Sequence, residues 1–376
     1  MKSERKNKGF IIYISVMIAL AAAGLVLSRL FPAVADFDAA WILPVSLTVL
    51  GGLASFCPVA VADILLGGTA FVFIVLIVMA VFSIFFKGSI RRATGRLAKA
   101  FAVYAAAIIF LLSFNWCMLY NTTPIAGRED IQKYYTADNM VAVYNLLVTE
   151  ANALADTVAR DEHGVVVCDM DVNAEAKRCM ESMEDEFPLL AGYYSEPKYM
   201  GMANFFSQQY VAGYYFPLTM ESNINPLMDA VNLPSVTCHE LAHLKGYIRE
   251  DEANFLGYLG CFRSDYDVFC YSALIDTIGY FKPVIDAAIR DHAIDPTIRN
   301  IAKCDERIFS DNVFINERAW EMINEESILD TETVAKAASK VRDNSLKFNG
   351  IEDGQLSYNR VVELMIWYHC TKGKLL

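Results

Sequence analysis

The sequence predicts a two-part protein, a membrane region of α-helices followed by a mainly helical (α+β) domain outside the cytoplasm. Three observations carry this. The 376 residues are 55% hydrophobic and only 20% charged, too apolar for one soluble domain. The long apolar runs are confined to residues 1–120. Charge divides at the same place: residues 1–120 hold ten Lys/Arg against four Asp/Glu, leaving 22 against 40 for the remainder. An excess of 18 negative charges excludes nucleic acid as a partner of the second part, and the hydrophobicity excludes a disordered chain. The roughly 255 residues after 120 are enough for one large core.

Residues 9–31 follow Lys2, Arg5, Lys6 and Lys8 and carry one charge, Arg29. That length crosses a hydrocarbon layer of about 30 Å, with the amino terminus in the cytoplasm. The run is longer than the apolar stretch of a signal peptide and no small-residue cleavage site follows it, so it reads as an anchor. Residues 64–86 form a second span, left through Lys87, Arg91, Arg92, Arg96 and Lys99. Residues 100–120 form a third, closing on Trp116 and Tyr120 at the interface. Residues 39–62 are also apolar but hold Pro44, Gly51, Gly52 and Pro58. A full crossing there would put the Lys87–Lys99 cluster outside, so this segment is expected to be re-entrant or interfacial. Asp63 is expected to cap the following helix.

From residue 121 the pattern becomes mixed. Amphipathic periodicity predicts a helix over 131–159 and, after a cap signal at Asp171, another through 175–186. Residues 210–225 are aromatic, β-branched and Gly/Pro-punctuated, predicting one or two strands that serve either as a peptide-pairing edge or as core. Residues 331–346 and 355–368 return to helix. None of the nine cysteines forms a CxxC, which excludes a Cys-rich zinc ribbon. Cys168 and Cys179 are near enough in sequence to pair, against the alternative of buried thiols. Glu181, Glu184, Asp185 and Glu186 read as a solvated helix face, and His163, His292 and His369 lack ligand neighbours at useful spacing.

Residues 237–245 read TCHELAHLK, placing His239-Glu240-x-x-His243 in an apolar helical window. Four residues apart on a helix, both imidazoles can reach one metal, while Glu240 faces the coordination position left open. With five histidines in the chain, such a match arises by chance on the order of once in a few hundred chains of this kind. A third ligand follows in Glu250-Asp251-Glu252-Ala253-Asn254. Gly246 is placed to end the motif helix in the left-handed conformation, turning the chain back. On the next helix Glu250, Ala253, Asn254 and Gly257 share a face of small residues suited to close packing, which favours Glu250 as ligand with Glu252 as the alternate. Two histidines and a carboxylate suit zinc.

His239-Glu240-x-x-His243 followed by Glu250-x-x-Ala253-Asn254 resembles the gluzincin metallopeptidases, including the CAAX prenyl endopeptidases and ImmA/IrrE-type peptidases. That resemblance implies a zincin-like domain over 121–376 and makes Asn254 the partner that orients a ligand imidazole. The spacing from His243 to Glu250 is shorter than in most gluzincins, and Lys245 is charged where the peptidase pattern is apolar. The whole chain resembles a bacterial family of membrane-anchored zincin-like proteins, through its spans, Asn115-Trp116, residues 216–221, the HELAH motif, residues 250–255 and Ser357-Tyr358-Asn359-Arg360. Tyr358 and Arg360 are read as packing residues, with oxyanion stabilisation as the alternative. The expected function is hydrolysis of a peptide or protein substrate outside the cytoplasm, with zinc on His239, His243 and Glu250 and with Glu240 as general base. The alternative is a membrane sensor or scaffold that uses zinc without catalysis.

Overall fold

Apolar helices too long for a small soluble core dominate the amino-terminal third. Lys8–Leu30, Pro32–Ser55, Val61–Phe85 and Ser89–Asn121 are each long and apolar enough to cross a membrane. The computed structural model describes residues 2–86, 88–295, 300–349, 351, 360–373 and 375–376 and divides into two compact units. The first comprises Met1–Thr123 together with Phe216–Glu221; the second comprises Pro124–Tyr215 and Ser222–Leu376. Large side chains of the first unit, Phe71, Phe73, Ile77, Ile84 and Phe85 among them, are exposed. A surface of that kind suits lipid tails rather than water, consistent with membrane anchoring. Among the polar contacts inside this unit, the Thr69 and Tyr104 hydroxyls are 2.8 Å apart.

Two expectations for this unit need correction. Pro44, Gly51 and Gly52 do not break the segment they lie in. Pro32–Ser55 is a continuous helix in which α turns alternate with π-helical stretches at Asp38–Ile42 and Leu47–Gly51. The first π stretch restarts the hydrogen-bond register, so Pro44 falls in the opening turn of the α segment Leu43–Ser46, where its missing N–H is not needed. Nor is Asp63 the cap of the next helix. Val61–Phe85 has Ala60 at the N-cap position, without a side-chain cap, and Asp63 lies inside the first turn. The cap comes from far along the chain: the buried Glu221 carboxylate accepts from the Val61 amide at 3.2 Å and the Ala62 amide at 2.9 Å. The Thr219 hydroxyl donates to the same carboxylate at 2.6 Å, and Asn115 Nδ2 donates to the Pro217 carbonyl at 2.8 Å. At the exit of the last apolar helix, Asn121 Nδ2 reaches the Ser28 hydroxyl at 3.2 Å, and the amide and hydroxyl of Thr123 both donate to Asp36 at 2.7 Å.

The second unit is mainly helical with one small sheet. Strands β1 (Lys198–Tyr199), β2 (Gly213–Phe216) and β3 (Glu221–Ile224) lie in the order β1-β3-β2. β1 runs parallel to β3 with Lys198 opposite Asn223 and Tyr199 opposite Ile224. The expected helix over 131–159 is two, Arg128–Tyr134 and Ala137–Ala155, because Thr136 takes an extended conformation and its hydroxyl caps the Asn139 amide. Asp171 caps Val172–Glu181 through the Ala174 amide, and that helix stops short of 186. Glu181, Glu184, Asp185 and Glu186 are exposed, as expected of a solvated face.

The helix Asp267–Arg290, called here the long helix, is apolar enough to span a membrane, yet Phe269, Tyr271, Ile275, Ile278 and Phe281 are buried in this unit. Val361–Lys372 forms the helix expected near the carboxyl end, while residues 355–359, Tyr358 included, and Lys87 lie outside the described residues. All nine cysteines carry free thiols, Cys168 and Cys179 among them.

Removing the remote cap should be costly, since it leaves two helix-start amides and a threonine hydroxyl without their acceptor. Glu221→Ala is expected to destabilise the protein by about 2–4 kcal/mol, against less than about 1 kcal/mol for Asp63→Asn, read from unfolding transitions in one detergent. Equal effects would restore the local cap.

Candidate metal centre

The motif helix, Leu233–Leu244, opens with Pro234 in its first turn, where a missing N–H costs nothing. It ends as the sequence anticipates. Gly246 has φ +97°, its amide donates to the His243 carbonyl at 3.0 Å, and the Tyr247 amide donates to Ala242 at 3.1 Å. This pair of bonds is a Schellman closure, which reverses the chain within a few residues. The chain then enters the glutamate helix, Glu250–Cys261, with Arg249 in extended conformation before it.

The two helices meet at Gly257. A Cβ built there would lie 3.0 Å from the His239 backbone nitrogen and 3.2 Å from its Cα, so any larger residue would have to push the helices apart by a few tenths of an ångström. The crossing brings Glu250 to both imidazoles: its Oε2 is 3.5 Å from His239 Nε2 and 3.6 Å from His243 Nε2. Ligand atoms of the three residues all lie within 4.8 Å of one another. Two ligands bound tetrahedrally at zinc-like distances are about 3.4 Å apart, so the observed spacings fit one shared divalent ion. His243 is fixed by its own loop, with Nδ1 2.8 Å from the Tyr247 carbonyl and Nε2 therefore left for the ion.

Glu252, the alternate ligand, is engaged elsewhere. Its carboxylate takes both oxygens to Arg249, at 2.7 and 2.8 Å, and accepts from the Ile125 amide at 2.9 Å. Asp251 pairs with Arg360 at 3.5 Å, which occupies the guanidinium considered for the oxyanion. Asn254 is buried on the face expected, close to the Tyr280 side chain. Lys245 also has a place. As the C-cap of the motif helix it donates to the Ala191 and Tyr193 carbonyls and lies 4.3 Å from the centroid of the Tyr194 ring. Burial lowers this lysine to about 8, against the pull of Glu181 and Glu184.

Glu240 lies between the histidines, whose charges it feels, and strand β2. A Cβ on Gly213 would come within 2.7 Å of its Cγ and Oε1, so the strand backbone lies directly against the carboxyl group. Burial raises its pKa, with the nearby histidines opposing. Its own carbonyl accepts from the Ser222 hydroxyl at 3.1 Å, joining β3 to the motif helix. Gly213, Ser222 and the Tyr247 carbonyl escape sequence reading because their roles depend on a strand and a loop folding onto the helix. The local signal is a glycine directly before the aromatic run Tyr214-Tyr215-Phe216.

His243 and Glu250 form a proton-balanced pair. Burial alone would depress the histidine, but the Glu250 carboxylate outweighs it and raises His243 to about 9. Glu250 is correspondingly held well below the usual carboxylate range despite burial, chiefly by His243.

The family model described as a protein of unknown function (DUF3810) matches residues 40–366, most of the chain and the whole of this centre, so the chain belongs to that family. No curated protein and no solved structure matches it.

Two outcomes follow from the geometry. Gly257→Ala should push the helices apart by a few tenths of an ångström and cost about 1–3 kcal/mol in unfolding free energy, with weaker divalent-metal binding. Wild-type stability and affinity in that variant would refute the close-approach constraint. A histidine raised from 6.5 to about 9 stabilises the fold fully below pH 6.5, and that contribution disappears as pH rises through 9. In chelator, the metal-free protein should therefore lose thermal stability between pH 6.5 and 9, and His243→Ala should lack that decline.

Proposed function

We propose that this member of the DUF3810 family is a membrane-anchored zinc-dependent metallopeptidase that hydrolyses peptide bonds outside the cytoplasm. The observation that carries the reading is the convergence of His239, His243 and Glu250 on one point, with Glu240 beside it. A divalent ion held by those three residues supplies Lewis acidity for an acyl oxygen and acidifies water. His239 and His243 bind through Nε2, and the Tyr247 carbonyl holds His243 in the tautomer this requires. Glu240, raised by burial, accepts the proton of the attacking water and returns it to the leaving amine. Strand β2 lies at the edge of the sheet and against Glu240, where an extended peptide would run alongside the site. The placement of a buried carboxyl beside the two histidines supports the catalytic over the sensor reading.

Contacts inside the first unit support a three-span topology with the amino terminus in the cytoplasm. Asp36 meets Thr123 at the exit of the last span, and Val61 meets Glu221, four residues from the Pro217 that holds Asn115. Both ends of Pro32–Ser55 are thereby drawn to the end of the unit where Ser89–Asn121 emerges, which supports a re-entrant or interfacial path. Arg91, Arg92, Arg96 and Lys99 occupy the opening turns of that last span, the cytoplasmic end on this topology.

Mass spectrometry of the purified protein should find about one zinc per chain, lost in His239→Ala and Glu250→Ala and retained in Glu252→Ala. Glu240→Gln should retain zinc and lose peptide cleavage, and Gly213→Ala, which crowds the same carboxyl, should lower cleavage with zinc still bound. Normal turnover in Glu240→Gln would rule out the mechanism, and a chain that takes up no zinc would rule out the function.

A further inference from the structure

The two ligand histidines are not held alike. His243 Nδ1 has the Tyr247 carbonyl, whereas His239 Nδ1 is buried without a hydrogen-bond partner. A buried ring nitrogen in a metal site calls for an acceptor, because the bond it makes decides which nitrogen is left to bind. The family resemblance points to Asn254, but the long helix offers a carboxylate.

Three polar residues at four-residue spacing, Ser272, Asp276 and Tyr280, share one face of the long helix. The motif helix answers with Ser235 and His239, also four apart. The contacts run rung by rung. The Ser235 amide, an N-terminal donor with no intrahelical partner, donates to the Ser272 hydroxyl at 3.2 Å, and the Ser235 hydroxyl donates to Asp276 Oδ2 at 2.7 Å. One turn further along the motif helix, about 6 Å on, stands His239. One turn further along the long helix stands Tyr280, which feels the charge of Glu250. Asp276 thus lies between the Ser235 rung and the His239 rung, and its carboxyl and the His239 imidazole are close enough to interact electrostatically.

We propose that Asp276 is the positioning residue of His239: its carboxylate accepts the Nδ1 proton, directly or across one water, and fixes the tautomer that presents Nε2 to the metal. The Ser235 hydroxyl holds the other side of the same carboxylate and sets its angle. Asp276 touches neither substrate nor metal, and acts through the imidazole. A half-buried aspartate facing another helix needs partners for its carboxylate, and the Ser235 hydroxyl supplies only one. This inference rests on the metal-site reading above.

The test is zinc affinity of the full-length protein in detergent, measured by competition with a chromophoric chelator, together with thermal stability of the metal-free form. Asp276→Asn keeps the size of the side chain and a partner for Ser235; it is expected to weaken zinc binding about 10–100-fold with little change in metal-free stability. The visible spectrum of the cobalt-substituted variant should also change, reporting altered ligand geometry at the ion, which a purely packing role would leave alone. Ser235→Ala keeps the carboxylate and should alter affinity only a few-fold. Unchanged affinity and spectrum in Asp276→Asn would overturn the assignment, as would a loss confined to Asn254→Ala, which would return the role to Asn254. A wild-type chain that binds no zinc would overturn this assignment and the proposed function together, whereas zinc binding indifferent to Asp276 would overturn this assignment alone.

Discussion

The centre depends on how closely two short helices approach at Gly257. With no side chain there, the glutamate helix lies against the His239 backbone, and only at that distance does a glutamate side chain from one helix reach imidazoles on the other. The connection enforces the same geometry from the other side. Gly246, in the left-handed region, lets the chain reverse between His243 and Glu250, so a short connection still delivers the carboxylate. Two glycines thus do what a longer loop would otherwise have to do, and in each a Cβ is disfavoured for a different reason, steric crowding in one case and backbone dihedral in the other.

Around this crossing the charges are sorted into self-contained sets. Glu252 is neutralised by Arg249, Asp251 is paired with Arg360, and Lys245 is anchored on carbonyls and an aromatic ring. Each of these groups sits within a few residues of the centre, and each is kept from competing for it. What remains is two imidazoles and two carboxyl groups, Glu250 and Glu240, in a largely dry setting. Such a set needs a positive charge to be stable, and in the metal-free protein the proton on His243 provides it. A divalent cation is a natural replacement, since binding it displaces that proton and satisfies Glu250 at once.

Neighbouring residues of the strand segment carry different obligations. Glu221 serves the amino terminus of an apolar helix, while Ser222, the next residue, holds the carbonyl of Glu240. The segment Phe216–Glu221 counts with the first unit although it lies midway along the chain.

Much of this was legible in the residues themselves. Apolar run length, the basic clusters and the charge division marked the helices suited to a membrane; the spacing of His239, Glu240 and His243 marked a metal-capable helix; Gly246 and the small-residue face through Gly257 marked the turn and the crossing. These are local features, set by backbone dihedrals, helical period and burial, and a window of a dozen residues contains them. The choice between Glu250 and Glu252 required the fold, because both carboxylates open the same helix and only the position of Arg249 and the Ile125 amide takes one of them away. The continuity of Pro32–Ser55 past Pro44 depended on π turns that no residue pattern announces. Glu221 as cap, Gly213 against Glu240 and Asp276 beside Ser235 and His239 join residues tens to more than a hundred positions apart. Sequence determined which groups could do chemistry and on which element each would lie; tertiary structure decided which of them meet, because hydrogen-bond and ion-pair partners are assigned by distances that only the folded chain defines.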